Sequence, residues 1–314
     1  MKVPMAPKSS NAALIAAAPA LFVVLWATGF VVAKLSAGHV APVWFLGLRF
    51  PIACLFMSGV AFYQRAAWPD STHAFHATVA GAFMHGGYLA PIYWAVAHGL
   101  PAGVSALIVG LQPLSTAFLA ALILGERIHA RHWMGLIVGL IGIGLVISPK
   151  LHLSGVEGIT PLTVGLTLFG ALSISLGTVY QKRFATGIPL ATGGAWQYAG
   201  GSVVVLISAY LVEDFFFDNS AQAWWALGWA VIVLSIIAIT LLMILINDGA
   251  VSKVSSLIFL VPGVAALMTF VLFGETLNVV QISGMAVCAA AVLIVNRQTN
   301  AASTIGPALE TQPQ

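Results

Sequence analysis

The chain has 314 residues; 60% are hydrophobic, only 7% are Asp, Glu, Lys or Arg, and the mean hydropathy is +1.00. A water-soluble domain carries about 25% charged residues, so this chain cannot clothe a water-facing surface and most of its exterior must face lipid. The net charge is +3 with a pI near 9.0, but the basic residues are scattered singly or in pairs between apolar runs, which excludes a face for nucleic acid.

Apolar stretches of about 20 residues mark the predicted spans. The first covers 13–36. Lys2 and Lys8 precede it and Ala16-Ala17-Ala18-Pro19-Ala20 resembles a signal-peptide cleavage region, but the run continues to Val32 and a second span follows at once, so it is read as a retained helix. Spans follow at 41–63, 74–98, 102–124 and 131–148, then a linker at 149–160, then 161–182, 190–212, 223–246, 251–273 and 277–296. Segment 1–13 is a short cytoplasmic lead. The polar tail 297–314 ends Glu310-Thr311-Gln312-Pro313-Gln314, has nothing to bury and is expected to be disordered. Cys54 and Cys288 lie within apolar segments without ligand-like neighbours and read as small hydrophobes.

With the N-terminus in the cytoplasm, Lys2, Lys8, Arg65, Arg127, Arg131, Lys182, Arg183, Lys253 and Arg297 fall on the inner side and Lys150 alone falls outside. That asymmetry follows the positive-inside rule and places both termini in the cytoplasm of a bacterial inner membrane. Glu157, Glu213, Asp214, Asp218 and Glu275 lie on or near the outer side.

The halves repeat. Gln112-Pro113 through Gly125-Glu126 to Gly135 matches Val261-Pro262 through Gly274-Glu275 to Gly284, each displaced by 149 residues. Nearer the start of each half the displacement is 148: Gly29 falls on Gly177, Lys34 on Lys182 and Arg49 on Gln197. Five spans per repeat is an odd number, so the second repeat enters the membrane from the opposite side. Charges agree: Arg127 and Arg131 follow Glu126, whereas no Lys or Arg occupies the loop after Glu275. The expected fold is an all-α membrane protein of ten transmembrane helices in two inverted five-helix repeats (5+5), 14–148 and 161–296, with 149–160 as an external linker.

These residues resemble a family, the EamA-type ten-helix permeases of the drug/metabolite transporter superfamily. The likeness rests on Leu25-Trp26-Ala27-Thr28-Gly29-Phe30 with Lys34, Leu48-Arg49-Phe50, Pro101-Ala102-Gly103-Val104-Ser105-Ala106 through Gln112-Pro113, and Leu124-Gly125-Glu126-Arg127. In the second half it rests on Leu176-Gly177-Thr178 with Lys182-Arg183, Trp196-Gln197, and Pro262 with Phe273-Gly274-Glu275. The resemblance implies a metabolite carrier or exporter with a central cavity between the halves, and it leaves the substrate open.

Candidate substrate-binding residues follow from what lipid penalises. Pro113 and Pro262 sit near the middle of the fourth and ninth spans, where a proline frees a carbonyl that protein or a watery cavity must satisfy; either a packing kink or a cavity lining explains them. Gln112 beside Pro113 offers an amide for substrate or for a helix-to-helix hydrogen bond. Arg49 lies about eight residues inside its span, where an unpartnered arginine costs at least ~2.5 kcal/mol. It either pairs with helix-end carbonyls or binds an anion, and Gln197 inherits the same two readings. Lys34 lies near the outer end of its span and snorkels or meets substrate. His85, in His85-Gly86-Gly87-Tyr88, is the only histidine well inside a span and reads either as a core histidine or as a cavity or proton-linked residue.

Trp26 and Tyr88 lie deep enough to line a cavity, and Tyr180 joins them from its own span. Tyr93 and Trp94 approach the outer interface, where an aromatic belt accounts for them. Ser173, Ser175, Thr178, Ser235 and Thr240 either line a polar path or tie helices together. Gly135 and Gly139, answered by Gly284 and Cys288, form a small-residue face for packing within a repeat or at a homodimer seam.

No Asp or Glu lies deep in a span, which argues against a proton-coupled cation exporter unless His85 serves instead. Metalloprotease, P-loop and serine-hydrolase motifs are missing, so no catalysis, cofactor or metal is expected. The expected function is therefore transport of a small metabolite, an amino acid or similar solute, in the export direction, by alternating access. A drug exporter or a translocator of lipid-linked substrates is the alternative, and an intramembrane enzyme stands further back. The partners expected are that solute and the bilayer.

Overall fold

In the computed structural model the described residues are 9–125, 133–135, 137–139, 141–142, 145, 158–239, 241, 261–274 and 278–296. The expectations resting on Lys2, Lys8, Arg127, Arg131, Lys150, Glu157, Thr240, Lys253, Glu275, Arg297, most of the 149–160 linker and the tail lie outside them. Regular structure among the described residues is helical throughout; the one β-type pairing there is an isolated antiparallel bridge between Val40 and Phe217.

Helix α1 spans Ser9–Ser36 and α2 spans Pro42–Tyr63, whose Pro42 stands in the first turn where no amide hydrogen is needed. Asp70 caps α3 by accepting from the His73 amide at 2.9 Å. Helix α3 then runs through three stretches, Ser71–Gly81, a π-helical Ala82–Gly87 and Tyr88–Ala97. Helix α4 comprises Ala102–Val109 and Gln112–Leu124, and it ends at Gly125 in the left-handed region (φ 70°). Helix α5, Pro161–Phe184, opens with a reciprocal capping box between Thr160 and Thr163. Helix α6 is Leu190–Val212; α7 is Ala221–Trp229 continued by a π-helical Ala230–Ile237; α8 is Val261–Phe273 and α9 is Val279–Asn296.

Among the described residues, five helices are long and apolar enough to cross a bilayer. The 22 residues of α2 rise about 33 Å, enough for a hydrocarbon core of about 30 Å. Exposed apolar side chains such as Leu55, Phe62, Leu122, Phe169 and Leu211 lie along these helices, as lipid requires and water would not tolerate.

Helix α2 packs along α6. At one end the Val43 amide donates to Glu213 Oε2 at 3.0 Å; at the other the Thr192 hydroxyl donates to the Ala67 carbonyl at 3.2 Å. The two helices start at Pro42 and Leu190, 148 residues apart, so segments equivalent by the repeat register run in opposite directions. Other contacts recur in pairs under the same register. The second stretch of α4 packs on α5 and α8 packs on α1; the last stretch of α3 packs on α5 and α7 packs on α1; α4 and α8 pack on each other. Gly139, one of the two glycines of the small-residue face, closes on Leu111, Leu114 and Ala291 of the same chain.

The π-helical turns begin at Ala82 and Ala230, again 148 residues apart. A widened turn shifts the carbonyl–amide pairing by one residue, and in each turn a hydroxyl adds a further donor to one carbonyl. In α3 the Phe83 carbonyl accepts from the Ser173 hydroxyl of α5 at 2.9 Å; in α7 the Ala230 carbonyl accepts from Ser235 of the same helix at 3.2 Å.

Described charges separate to the two ends of the bundle. Arg65, Lys182 and Arg183 share one end with Asp70, and Glu213, Asp214 and Asp218 share the other with Lys34.

Candidate functional site

Arg49 of α2 is 6% exposed, so its charge must be met by the protein. Its Nε donates to Ser235 Oγ at 3.1 Å, and Ser235 in turn donates to the Ala230 carbonyl of the π turn at 3.2 Å. The Tyr93 hydroxyl stands beside the Arg49 guanidinium and points its own hydrogen at the Gly29 carbonyl, 3.5 Å away. The Tyr198 hydroxyl of α6 lies beside Ser235. The guanidinium carbon also stands 5.7 Å from the Phe50 ring centroid, within cation–π range.

His85, in the π turn of α3, lies beside the Gln197 side chain. Its ring stacks on Tyr198 with centroids 4.5 Å apart and lies 5.7 Å from Phe50. Phe50 and Tyr198 are themselves 5.9 Å apart. Tyr88, 7% exposed, is within electrostatic reach of Arg49. Of the expected residues, Arg49, His85, Tyr88 and Gln197 therefore come together, and Tyr93, Tyr198, Phe50 and Ser235 complete the cluster.

The repeat register explains the assembly. Arg49-Phe50 falls on Gln197-Tyr198, and each member of the polar pair reaches the π turn of the opposite half: Arg49 reaches Ser235 in α7, and Gln197 reaches His85 in α3. Ion pairs among the described residues are His39 with Asp218 and His73 with Asp70; neither involves Arg49. A permanent cation flanked by hydroxyls and aromatic faces is chemically suited to a carboxylate, with a planar or apolar remainder against the rings.

Other expected residues are placed elsewhere. Gln112 and Pro113 open the second stretch of α4 just after a tight turn at Gly110 and Leu111, where the Leu111 amide bonds back to Ile108 at 3.1 Å. Pro113 thus stands in a first turn rather than mid-helix, a place where its missing amide hydrogen costs little. The Gln112 carbonyl accepts from Ser175 at 3.2 Å and from Thr116 at 2.9 Å, which ties α4 to α5. Pro262 lies in α8, next to residues 251–260, which are outside the described ones. Trp26 packs its ring 5.3 Å from Phe22 within the α1 core. Tyr180 bonds to His76 at 2.7 Å and packs 4.8 Å from Phe184, in a separate aromatic group at the basic end. Ser173, Ser175 and Thr178 satisfy backbone carbonyls, the helix-tying role.

Tyr93 corrects the sequence reading. It is not a belt residue: it is 2% exposed and stacks on Phe45 with centroids 5.6 Å apart. Tyr198 and Phe50 were absent from the candidates, although the register that pairs Arg49 with Gln197 pairs their neighbours as well. Among the described residues no group of three or more His, Cys, Asp or Glu gathers as a metal site would require. A cavity of about 410 Å³ opens at the basic end beside Thr178, Lys182 and Gly187.

The profile of the EamA-like transporter family matches the chain twice, at residues 12–148 and 161–297. The chain is 27% identical over 314 residues to the "Uncharacterized transporter YvbV" of Bacillus subtilis, with 96% of each chain covered. It is 26% identical over 272 residues to the "Uncharacterized inner membrane transporter YedA" of Escherichia coli K12, covering 87% of each. A third relative, from Salmonella typhimurium, is named "Probable amino-acid metabolite efflux pump" and is 26% identical over 276 residues, 84% of this chain and 88% of its own. A solved structure described only as the crystal structure of a protein shares the fold with a TM-score of 0.61 at 21% identity, over 95% of this chain and 99% of that one. The chain belongs to the EamA-like transporter family, whose names are those of transporters rather than enzymes.

Proposed function

We propose that this family member exports a small carboxylate-bearing solute, an amino acid or a close analogue, across the bacterial inner membrane by alternating access. The observation that carries the reading is the placement of Arg49 and Gln197, register equivalents that each reach the π turn of the opposite half. A site built from equivalent residues of two antiparallel halves lies where both can reach it in turn, as inverted-repeat carriers require. The antiparallel run of α2 and α6 supports ten spans in a 5+5 arrangement, and the basic end that carries Arg65, Lys182 and Arg183 supports a cytoplasmic placement of both termini.

In this mechanism Arg49 receives the solute carboxylate and the His85, Tyr198 and Phe50 rings receive the remainder. The relative named as an amino-acid metabolite efflux pump supports that class of cargo. Counterflow into proteoliposomes, run with labelled amino acids and their carboxamides, tests it. Exchange of the acids with no exchange of the amides is expected, and Arg49→Gln lowers that exchange at least tenfold. Equal exchange of acid and amide would overturn the carboxylate reading, and no exchange of any organic solute would overturn transport.

A further inference from the structure

Two connecting segments at the acidic end, 37–41 from the first half and 213–220 from the second, are joined along their length. The Ala41 amide donates to the Phe216 carbonyl and the Asp218 amide to the His39 carbonyl, both at 3.0 Å, around the Val40–Phe217 bridge. Side chains reinforce the backbone. His39 Nδ1 meets Asp218 Oδ2 at 2.5 Å and Ser220 Oγ at 3.2 Å. Gln222 donates to the Leu35 carbonyl at 3.0 Å and the Trp44 indole to the Glu213 carbonyl at 3.2 Å.

The register-equivalent segments at the basic end, 185–189 and 65–72, are built otherwise. The counterpart of His39 is Gly187, which has no side chain to offer. Asp70, the counterpart of Asp218, is engaged with its own helix, accepting from the His73 amide and meeting the His73 ring at 2.7 Å.

We propose that segments 37–41 and 213–220 form the external gate of the carrier, latched by His39, Asp218 and Ser220, and that the structure has this gate closed. The inference rests on the alternating-access reading: at the acidic end the connecting segments themselves are joined by backbone bonds, whereas at the basic end the halves meet through side chains, Thr192 on the Ala67 carbonyl and His76 on Tyr180, so the two ends are fastened by different means. Hydrogen bonds from the Ser220 side chain and amide, with His39 beside them, hold the Asp218 carboxyl down at about 2, so the latch keeps its negative charge throughout the neutral range. Loss of that charge or of the His39 ring shifts the population toward an outward-open state.

Pulsed electron spin resonance on the full-length protein in nanodiscs tests this. Spin labels go on Ala37→Cys with Phe215→Cys for the acidic end and on Gln64→Cys with Thr186→Cys for the basic end, each in a Cys54→Ala, Cys288→Ala background. The unlatched variants Asp218→Asn and His39→Gln are each expected to add a longer-distance population at the acidic end and a shorter one at the basic end. Asp70→Asn, the register equivalent, is expected to leave both distributions unchanged. Distances that stay fixed in both unlatched variants, with monodisperse protein, overturn the gate. Movement at the acidic end alone overturns its coupling to the other side. The readout needs no substrate, so a failed transport assay and a failed gate remain distinguishable.

Discussion

Helix α3 crosses α6, and by the repeat register α7 should cross α2 in the same way, yet the two crossings are built from opposite materials. At the first, a methyl group on Gly81 would strike the Gln197 backbone, and one on Gly200 would strike the Thr78 carbonyl. Gly201 faces His85 and Gly86 faces Val204 just as tightly, so the two backbones meet nearly bare. At the second, the register counterpart of Gly81 is Trp229 and that of Gly200 is Ile52, which are 38% and 43% exposed. Trp229 turns away to donate to Thr28 on α1 at 3.0 Å. Duplicated backbones therefore need not exchange roles literally. The glycine crossing is locked by its own sequence, whereas the other keeps the bulk of Trp229 and Ile52 partly at its surface.

The largest effect expected from breaking this comparison is at the locked crossing. Gly200→Leu forces bulk against the Thr78 backbone, and overpacking of this kind costs on the order of 3 kcal/mol or more. Thermal unfolding in detergent is expected to show a clear fall in Tm, or loss of monodisperse protein, for Gly200→Leu and Gly81→Leu. Ile52→Leu at the other crossing is expected to change Tm little.

A smaller effect is expected at the π turn of α7. Ser235→Ala removes the hydroxyl that serves both the Ala230 carbonyl and Arg49 Nε, and an unsatisfied buried polar group costs about 1–3 kcal/mol. Ser173→Ala removes the hydroxyl donor to the Phe83 carbonyl at the π turn of α3 and is expected to be milder, because the neutral serine there holds no charge. Denaturation of the two variants side by side ranks the turns; the reverse order would show that Arg49 does not depend on Ser235.

Smaller again is the acid response of the loops. Asp70 and Asp218 both have carboxyls lowered by hydrogen bonds, from His73 and from Ser220 respectively. A lowered carboxylate stabilises the fold above its unfolded value, and that contribution disappears as pH falls through the folded one. For Asp218 the loss is expected between about 4 and about 2, and a Tm profile of wild type against Asp218→Asn should converge over that interval. Opposite in sign, Gly59→Ala places a methyl inside α2 where nothing lies within 4 Å and is expected to raise stability by about 0.5–1 kcal/mol.

Much of this organisation can be read from the residues. Apolar runs gave α2 and α6 nearly to their ends, and the 148-residue register alone pairs Arg49 with Gln197, the pair on which the site is built. The π turns are not legible: Ala230–Ile237 is ordinary apolar helix, and His85-Gly86-Gly87 marks a polar, bare stretch in Ala82–Gly87 without specifying a widened turn. They matter, since an extra residue in a turn rotates everything after it. Tyr93, five residues beyond the Tyr88 start of the last stretch of α3, consequently faces Arg49 and not the interface. Tyr180 erred the other way: its depth in α5 is ordinary, but its hydroxyl is taken by His76 at the basic end. Depth along a span is written in the sequence, whereas the direction a side chain faces depends on helix rotation and on neighbours from the other half.

The account stands on Arg49 as the group that receives the cargo. Equilibrium binding of a transported, labelled amino acid to purified protein, wild type against Arg49→Gln, tests that most directly. Saturable binding in the wild type and a loss of at least tenfold in affinity in a variant of unchanged helix content are the predicted results. Equal affinity in the two proteins would contradict the account and assign Arg49 to holding the α7 turn alone.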